Sequence, residues 1–582
     1  MQTDREIDAA SLAVADAAGL SGPAARVLAG RVTNGSVASA IIAPRLQDIP
    51  RPDLFADIDR AADRIASAVM TGERIGICVD YDVDGISGGA LACAIMREAF
   101  GVEPGRVTVH VSHRMEDGYG FTEGAASRVA SCAGGAPSLI ITVDQGSRDG
   151  AGIARYLDLA RAQGVEADVI VTDHHHIDGA GPECAYAVVN PQRPDCRYPD
   201  KTVCGAMVAF LVMVAVKGRL MAAGRAVPGL ARYLAFAAAA TIADCVDLSS
   251  PANRAVVQHG LGRINAGDRP AWRALKRLVG EGPVRAESLA FTLGPRINSA
   301  SRTGGDGQVA LGFLLAPTDA EADDGLALIG ASNQDRKEIE RAMTEGAMRE
   351  AQAQVEAGAW GLVIHLADGH MGVQGIVASR IQEAYGCPVV VLTPKNDQEI
   401  TGSARSVPGV DILGVLTDVQ SQSGVFTRFG GHAAAAGMTL VRDAAAVQRL
   451  QSDFDAAVRA RASADRIGPR RVTDGALAGH DITMRLIDDL QRLEPFGAGF
   501  EAPLFTLKAQ VISARRMGDG THLKIGLAAG ARCFDAVWFR FTRNPDDPVP
   551  VTEGDVCTFL VEPKDNHFRG ERRLQLMVSG IA

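Results

Sequence analysis

Ten cysteines lie scattered through this chain, and no two of them fall at C-x-x-C spacing. That absence argues against zinc ribbons and a disulfide framework, so a reducing cytoplasm is the expected compartment. No apolar run reaches the ~20 residues that span a bilayer; the longest lie near 205–216 and 233–243. The start, Met1-Gln-Thr-Asp-Arg-Glu6, is charged and lacks an apolar h-region, so no secretory signal is expected. Internal repeats and low-complexity tracts are missing too. We read neither a nucleotide-binding P-loop nor a serine nucleophile elbow, which leaves ATP hydrolysis and acyl transfer without a motif. A positive surplus is also lacking, since the net charge is −10. Overall charge is a poor guide where a metal site would concentrate acids. Residues 504–582 carry 11 Lys/Arg against 9 Asp/Glu, net +2, so the remainder sums to −12. With 47% hydrophobic and 22% charged residues the chain reads as soluble and globular, and 582 residues predict three or four domains.

What is present centres on residues 75–87. A β-rich apolar run, Ile75 to Val79, stops at Asp80, Asp82 and Asp84, closed by Gly85. Carboxylates so close repel one another unless a cation neutralises them. An EF-hand loop would need a glutamate at its twelfth position, which is Leu91 here, and a helix before it rather than a strand. Three later stretches repeat the arrangement. Leu139–Val143 ends at Asp144-Gln145-Gly146, and Asp168–Thr172 ends at Asp173-His174-His175-His176. An alanine-rich apolar segment ends at Thr241-Ile-Ala-Asp244. Ligands of open α/β sheets sit beyond the carboxyl ends of the strands, so acids at four strand ends are expected to converge. Aspartates with neutral imidazole suit Mn²⁺ or Mg²⁺ better than zinc. A two-metal site follows.

These stretches resemble the four motifs of the DHH phosphoesterase family, and most closely its single-strand exonuclease branch, RecJ. The resemblance runs from about residue 25 to the end. It implies that Asp80, Asp82, Asp84, Asp144, His174 and Asp244 hold two divalent cations, Mn²⁺ or Mg²⁺, with Asp144 shared. It also implies that His175 faces metal or phosphate. The ions would lower the pKa of a bridging water that attacks phosphorus in line. His176, Asp149, Asp178 and Asp247 are expected to be solvated.

Further segments carry the same resemblance. His113-Arg-Met-Glu-Asp-Gly-Tyr-Gly-Phe121 places Arg114 near substrate phosphate, and the Asn-Pro stretch suggests a substrate role for Asn190. Arg296 and Arg302, in 291–305, are phosphate-fork candidates because guanidinium matches phosphate bidentately. Thr318-Asp-Ala-Glu321 is a capping box opening a helix to about Glu356. Gly402-Ser-Ala-Arg405 and Gly430-Gly-His432 resemble a DHH-associated substrate-binding domain. Ser403, Arg405, Gly431 and His432 would contact phosphate there, with glycines letting backbone amides approach. Pro495–Pro503 resembles a RecJ segment that usually has Asn where Phe500 stands. Five short strands follow, Thr506–Ile512, Thr521–Leu527, Ala536–Phe541, Val556–Val561 and Arg573–Val578, and suggest an OB-fold barrel for single strands.

The expected architecture is therefore α/β, in five segments. An N-terminal helical extension (1–50) precedes a parallel-sheet DHH domain (51–270) and a long-helix connector (271–357). A smaller α/β DHH-associated domain (358–503) and a β-barrel OB-fold (504–582) complete it. Truncation after about Pro503 is expected to leave the metal site whole. The expected function is a 5′-to-3′ single-stranded-DNA exonuclease of DNA repair and recombination, a cytoplasmic monomer with no membrane contact. A helicase or single-strand-binding protein is the further partner expected. Two alternatives stay open: a small-substrate phosphodiesterase acting on nano-RNA or cyclic dinucleotides, and a non-catalytic replication scaffold.

Overall fold

The computed structural model describes residues 2–582 except Thr303, Arg543 and Arg569. Thr303 of the 291–305 stretch therefore lies outside the described residues. The chain forms two compact units, one of residues 4–330 with 472–582 and one of residues 331–471 with the first three.

The larger unit is built on a five-stranded parallel sheet. Its strands are β1 (Ile75–Val79), β2 (Val107–Val111), β3 (Leu139–Val143), β4 (Asp168–Thr172) and β5 (Ala187–Val189), in the order 2-1-3-4-5. Side chains alternate between the faces, and both faces are covered. Ile75, Ile77, Val79, Leu139, Ile141 and Val143 enter one core, while Cys78, Ile140, Val169 and Val171 enter another. Burial on both sides is why these strands read as continuous apolar runs. The strand order reverses between β1 and β3, and a crevice at their carboxyl ends is where such sheets bind ligands.

One element departs from expectation. Leu234–Ala243 is an α-helix with Asp244 at its C-cap, so the fourth acid ends a helix and not a strand. Six alanines in that run favour helix, and an apolar run alone does not separate the two. The helix after the first motif begins at Val83, with the Asp82 side chain capping Asp84 and Gly85 amides. Gly205–Ala222 runs 18 residues, apolar enough to cross a membrane, but most of it is buried in the core.

The barrel strands are β11 (Phe505–Met517), β12 (His522–Ala529), β13 (Arg532–Trp538), β14 (Val556–Phe568) and β15 (Glu571–Ile581). Pairing of β11 with β14 and of β13 with β15 closes them into the expected OB-type barrel, although β13 starts earlier than expected and ends at Trp538. The barrel does not stand apart. Phe505, Leu507, Leu523, Ile525 and Phe559 belong to the same core as the catalytic sheet, so the expectation of a separable barrel after Pro503 fails. The N-terminal helices Ala9–Ala17, Gly22–Ala29 and Gly35–Ile42 join that core. Between the second and third of them, the buried side chain of Arg31 pairs with Asp474 at 2.6 Å.

Asp319–Glu356 is one 38-residue helix opened by the expected capping box, with the Glu321 amide on Thr318 Oγ1 at 3.2 Å. The smaller unit holds a second five-stranded sheet. Its strands are β6 (Leu362–His365), β7 (Val389–Pro394), β8 (Glu399–Arg405), β9 (Phe426–Gly431) and β10 (Ala435–Val441), in the order 9-10-8-7-6.

Candidate active site

Each acid is delivered by a strand or helix end. Asp80 follows β1, Asp144 follows β3, His174 and His175 follow β4, and Asp244 caps its helix. Asp144 takes a left-handed backbone (φ 62°), the sort of conformation that clusters at active sites. Gly85 packs against the Asp80 backbone, since a Cβ there would lie 2.5 Å from the Asp80 carbonyl oxygen. Gly205 starts the buried helix so close to the site that a Cβ would lie 2.7 Å from Asp144 Cβ. Its amide and that of Ala206 donate to Asp84 at 2.6 and 2.7 Å, so a helix N-terminus holds this carboxylate.

The six expected ligands converge. Ligand atoms of Asp80, Asp82 and Asp144 lie within 4.8 Å of one another, and so do those of Asp84, His174 and Asp244. His174 Nε2 is 3.2 Å from Asp144 Oδ1 and 3.7 Å from both Asp84 Oδ2 and Asp244 Oδ2. Asp80 Oδ1, Asp144 Oδ1 and His174 Nε2 are buried and make no hydrogen bond. Burial and the neighbouring carboxylates push Asp80, Asp84, Asp144 and Asp244 above the usual carboxylate range. Burial pulls His174 down, toward the neutral imidazole that ligates metals. Buried lone pairs facing one another are costly without a cation, so this donor set fits a pair of hard divalent ions.

His175 differs from His174. Burial opposes its protonation, but Asp173 at 2.9 Å overcomes this and raises it to about 9. Asp173 also accepts the amides of Ser147, His174 and His175. Tyr119 adds its hydroxyl, 2.9 Å from His175 Nδ1 and 3.3 Å from the Asp144 carbonyl oxygen to which it donates. Neither Asp173 nor Tyr119 is among the expected site residues. A carboxylate beside an active histidine is a familiar outer-shell partner, and that signal was present in the sequence.

The arginines divide. Arg114 stacks over Tyr81, 3.9 Å from its centroid, and reaches Ser301 Oγ at 3.4 Å. Arg114 and Arg302 both act electrostatically on Tyr81, which sits between two of the acids. Arg296 instead donates to the Thr292 carbonyl of its own helical segment at 2.6 Å. Asn190 is fully buried and bound to Ser147 Oγ and the His175 carbonyl, so it braces the loop and does not face substrate. His176 and Asp178 are exposed as expected, but Asp149 is half-buried and accepts the Phe121 amide at 2.7 Å. Gly85-Ile-Ser-Gly-Gly89 does match the G-x-S-x-G spacing, contrary to the sequence reading. Ser87 is nevertheless fully buried inside a helix, not exposed on a turn, so it offers no nucleophile.

In the smaller unit, β10 pairs with β8 so that Ala435 lies opposite Arg405 and Gly437 opposite Ser403. The His432 amide donates to Ala435, and Arg405 donates to Ser403 Oγ at 3.0 Å. Gly375, in the first turn of helix Gln374–Tyr385, admits both side chains, since a Cβ would lie 2.9 Å from an Arg405 guanidinium nitrogen. Ser403, Arg405, Gly431 and His432 thus gather at one end of the sheet.

Fold and site together define a protein of the DHH type. Residues 74–241 match the model of the DHH family N-terminal domain, 361–460 the DHHA1 domain and 473–580 the RecJ OB domain. The chain belongs to the RecJ family. It is 33% identical over 546 residues to the single-stranded-DNA-specific exonuclease RecJ of Dickeya dadantii, covering 91% of each chain. Against the Escherichia coli protein of the same name the figures are 33% over 540 residues and 90% of each. Among solved structures, RecJ of Thermus thermophilus in complex with Mn²⁺ matches with a TM-score of 0.79 at 27% identity, over 100% of this chain and 79% of that one.

Proposed function

We propose that this chain is a metal-dependent, single-stranded-DNA-specific exonuclease acting from 5′ to 3′ in DNA repair and recombination. The observation carrying this reading is the convergence of Asp80, Asp82, Asp84, Asp144, His174 and Asp244, with buried, unbonded atoms on Asp80, Asp144 and His174, in a chain that also bears a closed OB barrel. Asp80, Asp82, Asp84, Asp144, His174 and Asp244 would hold two divalent ions, with Asp144 shared between them. Relatives solved with Mn²⁺ and with Mg²⁺ support either ion. Such ions, when bound, supply an activated water and neutralise charge on the phosphate.

The chain's own groups do the rest. Arg114 and Arg302 hold the scissile phosphate. His175, kept protonated by Asp173 and steadied by Tyr119, donates to a phosphate oxygen. Ser403, Arg405, Gly431 and His432 offer a second anion site, which we assign to the terminal phosphate. The cytoplasm is the proposed compartment, with a helicase or single-strand-binding protein as partner and a monomer as the working form. The test is hydrolysis of single-stranded DNA labelled at either end, with Mn²⁺, Mg²⁺ or EDTA. Release of labelled mononucleotide first from the 5′ end, and only with metal, is expected. Equal turnover of dinucleotides and long strands would favour a small-substrate phosphodiesterase.

A further inference from the structure

Arg254 is fully buried in helix Pro251–Ala266. Its guanidinium is held by backbone carbonyls. It donates to Leu248 at 3.1 Å, to Pro495 at 3.0 Å and to Leu493, while its Cζ lies 4.4 Å from the centre of the Phe500 ring. A buried guanidinium is costly, and it persists only where the surroundings hold it in one geometry. Here it joins two stretches remote in sequence: the turn after Asp244 and the 493–500 segment that leads into the barrel.

The same two stretches meet independently of Arg254. The Leu248 amide donates to the Ala498 carbonyl at 2.8 Å. Gly499 has φ +70°, and a Cβ on it would lie 1.9 Å from Asp247 Oδ1. The turn itself starts with Cys245 at φ 54°, directly after the helix cap Asp244. We propose that Arg254 and the 493–500 segment form a clamp on residues 245–248 that positions Asp244 for metal binding. Arg254 is thus a positioning residue, and the barrel's connecting segment is part of the metal site's scaffold. This rests on the metal-binding reading above.

The test uses the full-length chain with Arg254→Lys, Gly499→Ala and, as a control, Ile525→Val in the fully buried part of β12. Lysine keeps the charge but loses the fork that spans three carbonyls. Alanine at 499 must displace Asp247, and the site is exposed enough to leave the fold intact. Free Mn²⁺ is read by electron paramagnetic resonance well below each variant's unfolding temperature, and kcat and KM are then measured on single-stranded DNA. Both clamp variants should weaken Mn²⁺ binding by about 10–100-fold, the range for outer-shell partners. They should lower kcat at limiting Mn²⁺ while leaving KM near the parent value. Ile525→Val should lower the unfolding temperature without changing Mn²⁺ affinity. If Arg254→Lys does not fold, Gly499→Ala decides by the same readouts. Parent-like Mn²⁺ affinity in the folded clamp variants overturns the clamp alone, as does an equal loss in the control. A parent chain that binds no Mn²⁺ overturns the clamp and the metal reading together.

Discussion

Asp144 shows how the backbone places a candidate ligand. It leaves β3 in a left-handed backbone, and its Oδ1 ends buried, unbonded and 3.2 Å from His174 Nε2. Asp84, Asp82 and Asp244 all press its carboxyl upward in pKa behind the larger effect of burial. Asp144→Asn removes both a ligand and a crowding charge. Activity should fall by more than about a hundredfold, beyond the range for outer-shell partners. The EDTA-treated variant should melt above the EDTA-treated parent, because one buried repulsion is gone. Turnover assays and thermal unfolding check the two halves separately; near-parent turnover at saturating Mn²⁺ would refute the ligand assignment. The six candidate ligands were legible as a cluster because closely spaced carboxylates repel one another unless a cation neutralises them. Tyr119 and Asn298, whose Oδ1 accepts the Val83 amide at 3.2 Å, were not, because their roles depend on contacts across 25 and 215 residues.

At the scale of elements, the fourth motif is instructive. The sequence reading took Asp244 to a strand end and reached the right place by the wrong element, since a helix C-cap at the same crevice serves equally. The N-terminus of Gly205–Ala222 on Asp84 was also invisible, because a glycine-marked helix start does not announce what it faces. In the smaller unit Ser403 and Arg405 lie on β8, whereas His432 sits in the turn between β9 and β10, with β10 separating β9 from β8. Arg405→Ala or His432→Ala should weaken binding of 5′-phosphorylated strands more than of unphosphorylated ones. Competition binding with the two ends checks this, and an equal loss would show that these residues do not read the terminus.

β14 supplies a pH prediction at the same scale. Asp565 accepts from Arg572, Arg285, Gln491 and His567, tying the barrel to segments around 285 and 491. Burial raises its carboxyl pKa, but the Arg572 hydrogen bond and the Arg285 charge outweigh this and hold it at about 2. A folded pKa below the unfolded value of ~3.9 gives stability that is full above it and lost as pH falls toward the folded value. Asp565→Asn should therefore melt below the parent at neutral pH, and the gap should close as pH drops from ~4 to ~2. Melting curves across that range check it; a gap independent of pH would mean the pairing contributes through shape alone.

The whole molecule differs most from its sequence reading. Composition and strand spacing revealed a barrel, yet gave no sign that it shares a core with the catalytic sheet, because packing between segments so remote in sequence leaves no local period. Cutting after Pro503 would strip Phe505, Leu507 and Phe559 from that core, so truncation tests stability and not strand binding. Surface substitutions separate the two. Phe539 is 54% exposed beside His522, and Arg515 lies directly opposite Lys524 on β12, so an aromatic and two cations share one end of the β11–β13 sheet. Stacking contributes about 1–3 kcal/mol per base in such domains. Phe539→Ala should therefore weaken long-strand binding by roughly 5- to 150-fold, and adding Arg515→Ala should flatten its salt dependence. Oligonucleotides too short to reach the barrel should be hydrolysed at the parent rate, with unfolding temperatures unchanged. The measurement is kcat/KM on a short and a long single strand at two salt concentrations. A parent-like value on both would mean that this end of the barrel holds no DNA and that its aromatic serves packing alone.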